Sequence, residues 1–504
     1  MSAPSSADDF LERHRDARAD VVDATDPWVD GGRLERAGAD ATATRDPATG
    51  EVLATVPVCD SGAVETAVEA AWDAYDGGWT ETTPATRSSR LFEWASRLDD
   101  HAEELARLEC LDTGKPLADV RGEVAGAVET LEYYASVVRS QTGEQIPAHE
   151  DVHLYTRHEP YGVVGQIIPW NFPLWAAAWK LGPALAAGNC AVLKPAEDAP
   201  LSVLRAAELS AGVLPDGVLN VVTGPGRPTG EALSGHADVR KVSFTGSVDA
   251  GTQVMESAAA HVAPVTLELG GKSPFVVFPD ADLDKAVTAA ADGVFYGTGE
   301  ICDAFSRALV HEDVREEFTA RFVERARSYA LGDPLAEGTT MGPLTSAAQR
   351  ERVREYVETG VEEGATLRAG GAAPEDAALA DGYYVEPTVF TDVENDMRIA
   401  REEIFGPVQT IQSFATYEEA IEIANDTPFG LAAGVATESS DLAHHAAADL
   451  EAGVVYVNEY GPILPEAPYS GFKRSGIGHD LGEDALDHYR QTKSVYVNLD
   501  EPTL

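Results

Sequence analysis

The run Val163-Val164-Gly165-Gln166-Ile167-Ile168-Pro169-Trp170-Asn171-Phe172-Pro173 decides the fold. Apolar residues that read as a buried strand give way to two prolines, so the chain must leave the strand through a loop of restricted geometry and not through a helix. Comparable short runs recur at 191–193, 219–222, 241–244 and 265–267, with helical spacing at 201–209 and 248–259 between them. Strand and helix in alternation build a parallel, doubly wound sheet. A second alternation begins with a strand at 274–278, followed by a helix from 283 to about 296, a strand from 308 and a helix over 314–329. The fold class is therefore α/β with two such domains, the boundary falling near Gly270. Upstream, 63–75 and 86–112 have helical periodicity, whereas the first 25 residues are acidic, lack a strand pattern and read as a loosely attached extension. Two extended stretches, 145–157 and 491–498, fit neither series and are expected to form a small ribbon that reaches another subunit.

With 504 residues the chain exceeds the roughly 250–300 that one core accommodates. Its 37 Lys and Arg against 85 Asp and Glu leave a net charge of −48. Such a surface repels phosphate backbones and anionic headgroups, so neither nucleic acid nor membrane is an expected partner. No apolar stretch is long enough to span a bilayer, and the first twenty residues contain no apolar leader core, which sets the expectation of a cytoplasmic protein. Lysine occurs at only eight positions (115, 180, 194, 241, 272, 285, 473 and 493). Scarce lysine among dense carboxylates resembles the composition of proteins adapted to high salt, where screening relieves self-repulsion. The four cysteines, Cys59, Cys110, Cys190 and Cys302, form no C-x-x-C pair, so no metal and no disulfide framework is expected.

Gly271-Lys272-Ser273 resembles the end of a phosphate-binding loop, but Thr266 stands where that loop needs its first glycine, which excludes it. The turn Phe244-Thr245-Gly246-Ser247 joins a strand to a helix and opens a helix N-terminus to a pyrophosphate, although an ordinary turn reads the same way. Lys194-Pro195-Ala196-Glu197 follows the strand at 191–193; a carboxylate there can bond ribose hydroxyls and repel a 2′-phosphate. Asn171, held in the two-proline loop, can present its amide to an oxyanion. Glu268 sits in an apolar run before a double glycine, and burial raises a carboxyl toward the range useful to a general base. Cys302 follows Gly297 and Gly299, which permit close backbone approach. Taken singly, the three have structural readings as a turn residue, a paired core carboxylate and a buried thiol.

Taken together, these segments resemble the aldehyde dehydrogenase superfamily from about Trp28 to Val497. The motifs are RHEP at 157–160, IIPWNFPL at 167–174, KPAE at 194–197, FTGS at 244–247, ELGGKSP at 268–274, GEIC at 299–302, EEIFGP at 402–407 and SGFKRSG at 470–476. The resemblance implies oxidation of an aldehyde to a carboxylate, of the hydrolytic type, with NAD as cofactor. It implies a Rossmann-like NAD-binding domain at 26–140 and 160–269, a catalytic domain at 270–480 and an oligomerisation ribbon at 141–159 and 487–500, with the extension at 1–25. A homodimer or homotetramer follows from the same likeness. By resemblance Cys302 is the nucleophile that carries a thiohemiacetal and then a thioester. Asn171 and the Cys302 backbone N–H hold the oxyanion, Glu268 activates the hydrolytic water, and Lys180 and Glu483 relay its proton. Lys194 and Glu197 hold the adenosine ribose, Gly246 and Ser247 the pyrophosphate, and Glu403 and Phe405 the nicotinamide ribose and ring, with Ile168, Pro169, Trp170 and Leu269 alongside. Phe172, Trp175, Trp179, Tyr296, Ile463 and Tyr469 line the substrate tunnel.

The chain departs from the family at Glu300, where glutamine is usual two residues before the cysteine. An ionised carboxylate beside the sulfur opposes thiolate formation, unless it points away. Glu268 argues against a CoA-acylating relative, and the absence of arginine from 172–180 and 459–469 against a carboxylated semialdehyde. The expected substrate is a broad aliphatic or aromatic aldehyde. Aromatic walls beside Asp303, Glu459 and Glu466 make a cationic aldehyde, such as betaine aldehyde, the alternative. A catalytically silent structural protein on the same fold is the alternative of another class.

Overall fold

Five short, almost wholly buried strands form the heart of the first domain. Their apolar runs suit a parallel sheet covered on both faces. They lie in the order Val265–Glu268, Lys241–Thr245, Val163–Ile167, Cys190–Lys194, Leu219–Val221, all parallel. Gly476–Ile477 adds antiparallel to one edge, and Trp28–Val29 with Gly32–Arg33 to the other. The computed structural model describes residues 7–21, 25–34 and 37–499. Strand addition reverses direction between Val163–Ile167 and Lys241–Thr245, so their following loops diverge and leave a crevice at the C-terminal ends.

The helix Pro173–Ala187 starts immediately after the two-proline loop, with Pro173 at its first turn and left-handed Gly188 at its end. It packs on Leu117–Val137, which the sequence reading did not anticipate; interior Gly122 and Gly126 dilute its helical signal. Gly126 makes room for a neighbour, since a Cβ there would lie 2.7 Å from the Trp175 ring. The periodic stretch at 86–112 is two helices, Pro84–Asp100 and Ala102–Thr113, broken at non-helical His101.

The second domain holds a seven-stranded sheet in the order Thr366–Ala369, Thr388–Thr391, Val408–Phe414, Arg307–His311, Pro274–Val277, Ala432–Ala436, Val454–Val457, antiparallel only at the first pair. The two orphan segments pair as expected. Arg490–Asn498 runs antiparallel to the whole of Val152–Pro160, which turns back onto Gln145–His149. No described helix is long and apolar enough to cross a membrane.

Two expectations about domain limits need correction. The stretch at 7–21 is no loose extension but the helix Ala7–Val21. Phe10, His14 and Ala17 recur at i, i+4 and i+7 and are buried, a stripe too thin for composition to reveal. Phe10 packs with Ala48, Leu379 and Tyr384, while the His14 ring bonds Asp46 at 2.6 Å and Asp333 at 3.0 Å. Burial opposes charge on that imidazole, yet bonds to the two carboxylates prevail and raise its pKa to about 9. Residues 1–6 and 22–24 of the anticipated extension lie outside the described residues. The second correction concerns the end of the catalytic domain. Gly476–Ile477 pairs with Leu267 and Glu268, and Ala485, Leu486 and Tyr489 join the first domain's core, so the chain returns there before entering the ribbon.

Candidate active site

A cavity of about 280 Å³ opens in the crevice, walled by the loop after Val163–Ile167, the turn after Lys241–Thr245 and the second domain. Cys302 enters it from the loop between Leu283–Phe295 and Arg307–His311. Gly297, Thr298 and Gly299 all have positive φ, and a Cβ on Gly299 would lie 2.3 Å from the Gly406 carbonyl carbon. Glycine is therefore required for this loop to press onto the turn that carries Glu403 and Phe405. The Cys302 sulfur lies 3.3 Å from the Tyr469 hydroxyl. Burial, and next the charge of Asp303, pushes the thiol well above its ordinary pKa.

Asn171 is buried, and its Nδ2 donates to the Glu300 carbonyl at 2.8 Å. An amide nitrogen carries two hydrogens, so the other remains for an oxygen in the cavity. Glu268 ends its strand in the same cavity, and neither carboxyl oxygen has a hydrogen-bond partner among the described residues. Burial raises its pKa strongly, the Asp480 charge adds to this, and Lys180 opposes it. An unpartnered, buried carboxyl is poised to exchange a proton with a cavity water.

Pro169, Trp170, Phe172, Trp179, Gly246, Ser247, Leu269, Glu403, Phe405, Ile463 and Tyr469 also reach the cavity, as does Trp175. Ser247 caps the helix Val248–Ala259 by accepting from the Ala250 N–H. Glu403 accepts from the Gly271 N–H at 3.0 Å, and burial lifts its carboxyl to about 7. A Cβ on Gly270 would lie 2.2 Å from that carboxylate, so the double glycine is what admits it. Phe405, at φ 62, stands edge-on to Trp170 with ring centroids 5.3 Å apart.

Other candidates fall elsewhere. Ile168 is buried and offers backbone only, donating to the Lys194 carbonyl at 3.1 Å. Lys194 ends the strand Cys190–Lys194 and Glu197 follows it, both outside the cavity wall. The Lys194 ammonium donates to the carbonyls of Pro195 (2.8 Å) and Gly224 (2.9 Å), 4.0 Å from Glu197, and burial lowers its pKa to about 8. Tyr296 stands behind Phe172 instead of in the tunnel, its hydroxyl bonded to Glu123 at 2.9 Å. Glu483 must also be corrected. It lies exposed at the start of the short turn Glu483–Tyr489, whose inward positions go to Ala485, Leu486 and Tyr489, and it accepts from Gln141. The partner of buried Lys180 is Asp480, at 2.8 Å, with Ser243 at 3.0 Å.

Glu300 turns its carboxyl away from the sulfur, onto the Thr345 backbone N–H and hydroxyl at 3.1–3.2 Å. Burial raises its pKa well above the carboxylate range, which disfavours an anion beside Cys302. Sequence reasoning missed Gln349 and Arg352. They reach the cavity from the helix Ala347–Glu362 and bond the Glu403–Phe405 backbone, Arg352 donating to the Glu403 carbonyl at 2.6 Å. A polar pair three residues apart on an amphipathic helix carries no sequence signal.

The comparisons with known proteins point the same way. Residues 34–495 match the aldehyde dehydrogenase family. An aldehyde dehydrogenase of Aspergillus niger is 45% identical over 475 residues, covering 94% of this chain and 95% of that protein. An NAD+ complex of aldehyde dehydrogenase from Bacillus cereus superposes with a TM-score of 0.93 at 44% identity, covering 96% of this chain and 99% of that one. A betaine aldehyde dehydrogenase from Staphylococcus aureus, in complex with NAD+, gives a TM-score of 0.95 at 37% identity over 97% and 98% of the two chains. The chain belongs to the aldehyde dehydrogenase family.

Proposed function

We propose that this protein oxidises aldehydes to carboxylates with NAD, through a thioester on Cys302 that water hydrolyses. The observation that carries the reading is the meeting of a thiol, an amide donor and an unpartnered buried carboxyl in one cavity at the switch point. The residues suit NAD. Gly246 and Ser247 stand at a helix N-terminus, Glu403 reaches in past Gly270, and the C-terminal end of the strand Cys190–Lys194 supplies Lys194, with Glu197 just after it. When bound, NAD supplies the acceptor for the hydride that leaves the thiohemiacetal carbon. The Cys302 sulfur, after losing its proton to a water of the cavity, forms a bond to the aldehyde carbon, and the carbonyl electron pair moves to an oxygen held by Asn171 Nδ2 and the Cys302 N–H. Glu268 then takes a proton from the water that attacks the thioester carbon, the C–S bond breaks, and sulfur leaves with its electron pair. Lys180 and Asp480, behind Glu268, are the groups placed to pass that proton on.

Aromatic side chains around Cys302 (Phe172, Trp175, Trp179, Tyr469) suit aliphatic and aromatic aldehydes. They also suit a cation, and a relative of this chain is a betaine aldehyde dehydrogenase. Against a cationic substrate, Asp303 is already capped by the hydroxyls of Tyr460 (2.9 Å) and Tyr456 (3.2 Å), and burial raises its pKa. Initial rates with acetaldehyde, benzaldehyde and betaine aldehyde decide between the two, and no NADH from any simple aldehyde would favour the silent structural reading. The Glu197 carboxylate should make kcat/KM higher for NAD than for NADP, and Glu197→Ser should narrow the gap. Equal wild-type efficiency with both would remove this role from Glu197.

The −48 charge and the ribbon, with Tyr496 72% exposed, support a salt-adapted homodimer or homotetramer, and four free cysteines fit the reducing setting of a cytoplasmic protein. Raising KCl from about 0.1 to about 1 M shortens the screening length from about 10 to about 3 Å. Activity and thermal midpoint should rise over that range. A stable, fully active oligomer at low salt would end the halophilic reading and leave the enzymatic one intact.

A further inference from the structure

Lys115 is 4% exposed and stands behind the active-site wall, where its ammonium pairs with Glu123 and lies 3.9 Å from Glu109. It also donates to the Asn171 backbone carbonyl at 2.6 Å and sits 4.4 Å from the centre of the Phe172 ring. Both carboxylates reach further. Glu109 accepts from the Leu174 N–H (3.1 Å) and the Ser202 hydroxyl (2.7 Å), and Glu123 from the Tyr296 hydroxyl. The loop 169–173 is thus tied from behind to three helices.

The bonds around Asn171 also close on themselves. Its side-chain amide donates to the Glu300 carbonyl, the Glu300 carboxyl meets Thr345, and the Thr345 hydroxyl lies 3.2 Å from the Thr113 carbonyl. The Thr113 hydroxyl accepts from the Lys115 N–H at 3.4 Å, which completes a ring through residues 115, 171, 300, 345 and 113. The Thr345 backbone N–H donates to the Glu300 carboxyl, so the hydroxyl's single hydrogen is free to go to the Thr113 carbonyl. This gives the unusual glutamate a place in the ring.

We propose that Lys115 is a positioning residue: by holding the Asn171 carbonyl within this ring, it fixes the side-chain amide where oxygen charge develops beside Cys302. Salt-bridged ammonium to carbonyl is a charge-assisted bond, and a donor must be placed to a fraction of an ångström to stabilise an oxyanion. The proposal rests on the thioester reading above, so its test needs a readout that does not depend on NAD. An activated ester provides one: the Cys302 sulfur attacks p-nitrophenyl acetate, p-nitrophenolate leaves, and an acetyl thioester remains.

The rate constant and amplitude of that burst are measured for the wild type, Asn171→Ala, Lys115→Met and Thr345→Val, with NAD affinity titrated separately by fluorescence. Lys115→Met should lower the acylation rate constant by about 10- to 100-fold, approaching Asn171→Ala, while burst amplitude and NAD affinity hold. An unchanged rate constant, with any loss confined to amplitude or melting temperature, overturns the proposal, because Lys115 is then only structural. Should Lys115→Met not fold, Thr345→Val decides. It opens the ring without touching a charge, and should slow acylation about threefold, one weakened hydrogen bond; a wild-type rate overturns the proposal. No burst from the wild type would refute the thiol chemistry instead, and rapid acylation by Asn171→Ala would refute Asn171 as the donor.

Discussion

Replacing Cys302 by alanine should abolish NADH formation and acyl-enzyme formation together, with a loss of at least about a thousandfold in turnover. Among the described residues the Cys302 sulfur is the thiol that lines the cavity with Asn171, and in the proposed reaction both chemical stages pass through its bond to carbon. The substitution removes a side chain bonded to the Tyr469 hydroxyl at 3.3 Å and no main-chain contact, so the fold should persist. Circular dichroism and NAD titration would check that. Turnover within about tenfold of the wild type would mean that aldehyde oxidation here does not need a covalent intermediate.

Glu268→Gln should separate the two stages. The first turnover should still yield about one NADH per site, because hydride leaves before the base is needed, and steady-state turnover should then fall by about 10²–10⁴-fold. The pH dependence adds a second signature. The acting form of Glu268 is unprotonated, and burial raises its pKa. Steady-state kcat of the wild type should therefore rise with pH as that carboxyl loses its proton, and the glutamine variant should lack this limb. Stopped-flow absorbance across about pH 6 to about 9 records both signatures. Wild-type turnover in the variant would take the base role from Glu268.

Much of this site was legible in the sequence, for physical reasons that differ from residue to residue. Asn171, Glu268 and Cys302 stand beside prolines and glycines whose constraints are local, yet it is the resemblance of the eight motifs together that separates them from a turn residue, a core carboxylate and a buried thiol. The strands around them were readable because a parallel sheet buried on both faces needs continuous apolar runs. What was missed depends on tertiary placement. Helix Ala7–Val21 has a polar composition, and only its docking onto Asp46 and Asp333 accounts for buried His14. Choosing Asp480 over Glu483 as the partner of Lys180 requires knowing that the inward positions of the short turn Glu483–Tyr489 go to other residues. Tyr296 was expected in the tunnel by resemblance, yet it stacks on Phe172, and Phe172 is the one of the pair that lines the cavity. Gln349 and Arg352 arrive from a distant helix with no motif around them.

The central claim is a thioester on Cys302, and mass spectrometry reads it directly. The Glu268→Gln variant, mixed with NAD and benzaldehyde and acid-quenched after the burst, should carry one benzoyl group per chain, and peptide mapping should place it on Cys302. An unmodified Cys302 peptide from a sample that has released stoichiometric NADH would contradict the account.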